Sequence, residues 1–321
     1  MRELDPEAWD ELLAELGCTD SYLLGSYVQA SAVAEGGRPA FLEHDGVVLA
    51  CLVRDVQAGG RDVTTPYGYG GPVAAAAASL DRFWSAYEAW CTENGIVSTF
   101  VRFHPRFENQ RLAEAGVHVE RLGPAIAWPL DGDLVGGLHR THRNKVRKAE
   151  RAGVAVTAHE APDGLAAFVA LYEDTMRRAG AGSFYFFGEE YWKHLLTGPV
   201  VRFDGHLEGE LVVSTLCLGA GPWLYYHLSA NSEDGRRSGA SNLLLLEAAR
   251  WAREQGYDAF YLGGGVGVRE DSLFAFKEHF HRPGRLDLFL GKAVHDRERY
   301  LALAGAAEVD YAGFFPAYRR P

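Results

Sequence analysis

Only five of the chain's 32 basic residues are lysine: Lys145, Lys148, Lys193, Lys277 and Lys292. Where a cation is needed the sequence nearly always uses arginine, so each lysine invites a reason. Cysteine is scarce as well. Cys18, Cys51, Cys91 and Cys217 are scattered without a C-x-x-C, which argues against a disulfide framework or thiolate metal site and points to buried thiols in a reducing compartment. No apolar run approaches the roughly 18 residues of a membrane span, although "PVAAAAASL" is locally apolar. No basic-then-apolar leader is visible; "MRELDPEAWDELLAEL" reads as an acidic helix, and the expected location is the cytoplasm. There is no Ser-His-Asp set, no H-E-x-x-H or other metal spacing and no P-loop, and the 12 histidines are dispersed. Neither a metal nor a resident cofactor is expected. A net charge of −11 argues against sequence-independent DNA binding but allows a local basic groove for one RNA end.

What is present is a sequence written twice. "WCTENGIVSTFVRF" (90–103) matches "WAREQGYDAFYLGG" (251–264); both read W-x-x-E-x-G followed by a strand-like run. A helical pattern precedes each, "LDRFWSAYEA" and "SNLLLLEAAR". Upstream of each lies a hairpin with its turn at Asp45-Gly46 or Glu208-Gly209. The spacing from Gly46 to Gly95 is 49 residues and from Gly209 to Gly256 is 47. The module is helix, hairpin, third strand, helix, strand. The expected fold class is α+β, with two tandem domains, each a mixed, mostly antiparallel sheet flanked by helices. A hinge near "LHRTHRNKVRKAERAGVAVT" divides the chain into residues 1–148 plus 295–321 and residues 149–294. The tail is expected to return as a helix onto the first domain. A monomer is expected.

Several segments together carry a resemblance: "RNKVRKAERAGV", "YEDTMRRAG…FYFFGEEYW", "YYHLSAN" and, most specifically, "YLGGGVGVREDSLFAFKEHF…GK". Over nearly its whole length the chain resembles the Fem family, twin-domain relatives of the GNAT acyltransferases that move an amino acid from aminoacyl-tRNA onto an amine. Only "TGPV" separates "EEYWKHLL" from the next strand, so the helical arm of many Fem proteins is absent and the chain is similar to the armless members. The resemblance implies two GNAT-like domains, aminoacyl-tRNA as co-substrate and a small-molecule or peptide amine as acceptor. An acyl-CoA-dependent N-acyltransferase is the alternative.

Lys277 follows Phe276 in a helical run where Phe276 and Phe280 share a face with Leu273. From spacing alone, Lys277 is a lysine snorkelling at the edge of an aromatic stripe. The resemblance implies a catalytic pair instead: Lys277 stabilises the negative carbonyl oxygen formed when an amine attacks the aminoacyl ester, and Phe276 positions it. A compact ammonium and a planar guanidinium place charge differently, which would explain the lysine. In "LYYHLSAN" strand alternation sets Tyr226 opposite to Tyr225 and His227; Tyr226 is the candidate for orienting the ester or acceptor, and His227 is either a structural residue or a substrate contact. "GGGVG" (263–267) needs backbone freedom or close ligand approach.

The remaining candidates are binding residues. Arg236, Gly239 and Ser241 form a degraded version of the GNAT pyrophosphate loop at a helix N-terminus, with Arg237 beside them; the plain alternative is a helix capped by Ser238 or Ser241. Arg143, Arg147 and Arg151 share one helix face, either solvated or touching tRNA phosphates. Tyr67 and Tyr69 in "TPYGYGGP" correspond to the acceptor pocket implied by the resemblance. The acidic residue that commonly follows this Gly-Pro is replaced by Ala74 and Ala75, so no carboxylate base comes from this loop. "QASAVAEGGRP" lacks the family's phosphate-binding lysine, with Arg38 as its substitute. That tilts the acceptor from a peptidoglycan precursor toward a secondary-metabolite amine. Arg177, Arg178 and Tyr185 are further acceptor contacts, although basic residues also suit a helix C-terminus.

Overall fold

The structure is a computed structural model that describes residues 1–57, 59–76 and 78–320. It divides into two compact units, residues 1–122 with 287–321 and residues 123–286.

The first unit opens with β1 (Arg2–Leu4) and α1 (Pro6–Glu15). Asp5 starts α1 by accepting the Ala8 N–H at 2.8 Å, and Pro6 supplies a fixed φ in the first turn. After α2 (Gly25–Glu35) come β2 (Arg38–His44) and β3 (Val47–Asp55). Both turn residues between them have positive φ, 52° at Asp45 and 79° at Gly46, as a tight hairpin requires. Then follow β4 (Arg61–Thr64), β5 (Val73–Ala74), α3 (Leu80–Glu93), β6 (Ile96–Arg102) and the start of β7 (His118–Pro129). The sheet runs β1-β2-β3-β4-β6, and only the β4–β6 pair is parallel. β3 is apolar throughout because both its faces are covered. Val48, Ala50 and Leu52 meet Trp9, Leu13 and Val28 of α1 and α2, whereas Val47, Leu49 and Cys51 meet Phe83, Trp84 and Tyr87 of α3.

In the second unit come α4 (Arg140–Arg151), β8 (Ala155–Glu160), α5 (Ala166–Ala179), α6 (Glu189–Leu196), β9 (Val200–Leu207), β10 (Glu210–Leu218) and β11 (Trp223–Asn231). They are followed by α7 (Glu233–Ser238), α8 (Ala240–Glu254), β12 (Ala259–Gly263) and α9 (Ser272–Glu278), after which β13 (Arg285–Val294) and α10 (Arg297–Ala304) return the chain to the first unit. The sheet order β8-β9-β10-β11-β12-β7 repeats the first unit's plan, again with one parallel pair, β11–β12. Its hairpin turn also repeats, with φ of 52° at Glu208 and 86° at Gly209. Each long helix ends before a left-handed glycine, Gly95 or Gly256.

Both units are thus mixed, mostly antiparallel sheets flanked by helices, the expected GNAT-like class. Their limits differ from the expected 148/149 and 294/295 divisions for two reasons. α4 carries His142, Val146 and Ala149 at helical spacing, and Val146 and Ala149 join the core of α8, so the expected hinge is a packed helix of the second unit. Each unit also takes its sixth strand from a distant part of the chain. The first unit pairs β13 with β6, and the second pairs β7 with β12.

Residues 297–320 pack on β6. Tyr300 and Phe315 bury Val97, and Arg319 donates to the buried Asp62 carboxylate at 2.8 Å. Among the described residues no helix is long and apolar enough to cross a membrane, and no group of three or more His, Cys, Asp or Glu is arranged to hold a metal ion. All four cysteines are free thiols; Cys51, Cys91 and Cys217 are buried, and Cys18 is half-buried.

Candidate active site

The site is built around α9 in the second unit. Asp271 caps this helix, accepting N–H groups of Phe274 at 2.9 Å and Val266 at 3.0 Å, and these bonds hold its carboxyl below the usual range. One carboxylate therefore ties the helix start to the Val266–Val268 turn. Gly265 permits this closeness: a Cβ there would lie 2.2 Å from the Arg269 carbonyl oxygen and 2.3 Å from the Asp271 carboxylate.

Lys277 is buried, with 8% of its surface exposed. Its Nζ donates to the Gly264 carbonyl at 2.7 Å and lies 5.6 Å from the centre of the Tyr226 ring. Desolvation lowers its pKa to about 8, against a weaker opposing pull from Asp271. At neutral pH it still carries a charge, held in place by a carbonyl dipole and an aromatic face. This is a buried ammonium and not the edge lysine that spacing alone describes. Phe276 is half-buried, packs edge-on to Phe280 at 5.3 Å and joins the core under α8. Tyr226 packs against the same core and edge-on to Phe260, and burial raises the pKa of its hydroxyl. The structure thus brings Lys277, Phe276 and Tyr226 together.

His227 turns the other way. It bonds the Tyr191 hydroxyl at 3.0 Å, and burial lowers its pKa to about 3. It sits at a β-bulge, where the pairing steps from Leu216–Leu228 to Cys217–Tyr226. Tyr225 faces Trp223 and Tyr261.

At the head of α8, Lys145, Lys148, Glu233, Arg236 and Arg237 line an open groove of about 640 Å³. Gly239, with φ of 85°, ends α7 and starts α8. Neither Ser238 nor Ser241 caps α8; the N-cap is Gly239, without a side-chain bond. A side chain at 239 would press on α4, since a Cβ would lie 2.8 Å from the Lys145 carbonyl oxygen. Lys148 donates to the Arg237 carbonyl at 2.6 Å, and Arg237 pairs with Asp234 at 2.7 Å. Arg143 does not extend the strip outward; its guanidinium folds back onto the carbonyls of Gly136 and Leu138. Arg147 is exposed.

Arg177 pairs with Glu173 at 2.9 Å, and Arg178 with Asp174 at 2.9 Å and with the Asn231 carbonyl. Tyr185 lies edge-on to Phe184. In the first unit Arg38 pairs with Glu3. The Tyr67 N–H donates to Glu35 at 2.7 Å, the Tyr67 carbonyl accepts from Tyr27, and Tyr69 packs edge-on to Tyr22 at 5.1 Å.

Three functional-looking residues escaped the sequence reading. Glu35 places a carboxylate on the tyrosine loop where Ala74 and Ala75 had left none, and burial raises its pKa. Asp271 caps α9, and the signal that would have found it is an Asp directly before a helical run. His142 donates to the Phe276 carbonyl at 2.8 Å and was hidden inside a basic run.

Residues 136–277, within the second unit, match the family model described as an acetyltransferase (GNAT) domain, a match that ends at Lys277. The likeness of the whole chain to solved structures is one of fold. FemX superposes with a TM-score of 0.68 at 14% identity over 94% of this chain and 99% of that one. The C-terminal domain (DUF2156) assigned to a lysylphosphatidylglycerol synthetase from Agrobacterium fabrum gives 0.65 at 18% over 94% and 95%. A tandem GNAT protein from the clavulanic acid biosynthesis pathway gives 0.50 at 11% over 84% and 94%. No curated protein matches the sequence.

Proposed function

We propose that the protein transfers an aminoacyl group from aminoacyl-tRNA to the amine of a small molecule or peptide. The amine nitrogen attacks the ester carbonyl, the C–N bond forms, the ester C–O bond breaks, and the ribose hydroxyl of the tRNA leaves with the proton the amine gives up. The observation that carries this reading is Lys277, a buried ammonium held at 2.7 Å by Gly264 and set over Tyr226. Two of its three N–H donors are not needed by Gly264 and can meet the oxyanion as it forms, in surroundings where charge acts strongly. Phe276 supports it from the core side, and Tyr226 walls the ester. The cations of the groove suit the 3′-terminal phosphates of the donor, while the net charge of −11 limits binding elsewhere. FemX and the synthetase domain are neighbours whose names carry the same direction.

A second reading is acyl-CoA as donor, favoured by Arg236 and Gly239 at the start of α8, where backbone N–H groups suit a pyrophosphate. Thermal shifts with two ligands separate the readings: acetyl-CoA, and an RNA minihelix ending in CCA with an amide-linked amino acid. Stabilisation by the minihelix alone, with turnover of the charged RNA lost in Lys277→Ala, is the expected result. Stabilisation by acetyl-CoA alone, abolished by Arg236→Glu, overturns the first reading and establishes the second.

A further inference from the structure

The last turn of α9 is held from outside. A helix leaves its final carbonyls without intrahelical partners. Here α4 and its N-cap residue His139 supply them on both sides of Lys277. The Phe276 carbonyl accepts from His142 Nε2 at 2.8 Å, and the His279 carbonyl accepts the His139 backbone N–H at 2.8 Å. A carbonyl can only accept, so the Nε2 of His142 carries the proton and its Nδ1 is bare. That nitrogen is buried and has no hydrogen-bond partner. The imidazole is 4% exposed, packed edge-on to Phe280 at 4.5 Å and beside Phe276 at 5.0 Å. The groups facing it are these two phenyl rings, His279 at 5.2 Å edge-on, and His139, which itself stacks on His279 at 4.2 Å.

We infer that His142 is a positioning residue for Lys277: its Nε2–H fixes the carbonyl immediately before the lysine, and so the direction in which the ammonium enters the site. Phe276 and Lys277 are adjacent, so a rotation of the Phe276 peptide moves the Cα that carries the ammonium. The other end of the helix is anchored by Asp271, and the ammonium itself by Gly264. Without the His142 bond, the turn bearing Lys277 loses the constraint nearest to it. The neutral tautomer suits this task, because a second proton on Nδ1 would be buried without an acceptor; burial accordingly lowers the His142 pKa to about 4. The inference rests on Lys277 acting as the oxyanion partner, but its first test does not.

That test reads Lys277 directly. With five lysines, ¹³Cε-lysine NMR resolves each ammonium, and Lys277→Met assigns the signal that titrates near 8. Glutamine can present an N–H where Nε2 sits; leucine cannot. His142→Gln is expected to keep the wild-type Lys277 midpoint, and His142→Leu to move it toward ordinary lysine values while lowering kcat about tenfold or more with little change in KM for the charged minihelix. An unchanged midpoint in folded His142→Leu overturns the inference. If both variants fail to fold, long-range ¹H–¹⁵N spectra of the wild type decide: an Nε2–H tautomer persisting to pH 5 supports it, and an Nδ1–H tautomer overturns it. A shifted midpoint in His142→Leu together with undiminished turnover in Lys277→Met would instead sink the proposed chemistry and leave the positioning intact.

Discussion

Lys277 keeps 8% of its surface in solvent, and the packing that removes the rest lowers its pKa to about 8 from an ordinary 10.5. Between those values the unfolded chain binds a proton that the folded chain does not. Stability therefore rises with pH across that window, and below it the folded state bears the full burden of a buried charge. Denaturant unfolding should show this rise from pH 8 to 10.5 in the wild type and its loss in Lys277→Met; equal slopes would mean that the ammonium is better solvated than its surroundings imply. The proposed catalysis should have the opposite dependence, because oxyanion stabilisation by Lys277 would need the protonated form. The rate should fall above pH 8, whereas a lysine acting as general base would make it climb toward that pH. Lys277→Ala should lower kcat by about 10²–10³, the effect of removing one donor to an oxyanion. Lys277→Arg should not rescue it, since the flat fork cannot occupy the space between Gly264 and Tyr226. A rate within threefold of wild type in either variant would exclude the role.

Among the elements, some were legible and others were not, for physical reasons. The hairpins showed themselves because Asp45-Gly46 and Glu208-Gly209 are local turn chemistry, read without any knowledge of the rest of the chain. The site helix showed itself through Phe276, Lys277 and Phe280. α4 was misplaced because its many cations masked the narrower stripe of His142, Val146 and Ala149, which alone decides where it packs. The sixth strands were invisible because β13 pairs with β6 across nearly two hundred residues of sequence, and no local pattern encodes a partner that remote. The same remoteness holds for the tail, which docks through Tyr300, Phe315 and Arg319 onto β6 and β4. Asp62 on β4 is fully buried and receives Arg54 at 3.0 Å and Arg319 at 2.8 Å. Asp62→Ala would leave the Arg54 charge short of its counter-ion and should lower stability by about 3–5 kcal/mol. Arg319→Ala leaves the Asp62–Arg54 pair and should do less harm. Equal losses in the two variants would place the energy in the tail's docking and not in the buried carboxylate.

At the scale of the whole molecule, a duplicated sheet has diverged in what each copy offers. The second copy holds the buried ammonium and the basic groove; the first holds a tyrosine loop braced by Glu35. Charge separates them from the average surface, because a chain of net −11 repels a polyanion everywhere except where cations gather. Four line the groove, and two of these are already engaged: Lys148 by a carbonyl, and Arg237 by Asp234 and Glu233. Lys145 and Arg236 therefore have the most charge to give to phosphate. Each single-strand phosphate neutralised contributes about −0.7 to the slope of log affinity against log salt. Fluorescence anisotropy with a labelled CCA minihelix should give a slope between about −1 and −3. Arg236→Ala should reduce its steepness by about 0.7, and Arg236→Glu with Lys145→Glu should abolish binding at moderate salt while leaving the melting temperature of the free protein nearly unchanged. A steeper slope would show that cations beyond the groove take part, with exposed Arg147 the first to test. A flat slope would show that the donor is held by its aminoacyl end alone, and the groove would lose its place in the reaction.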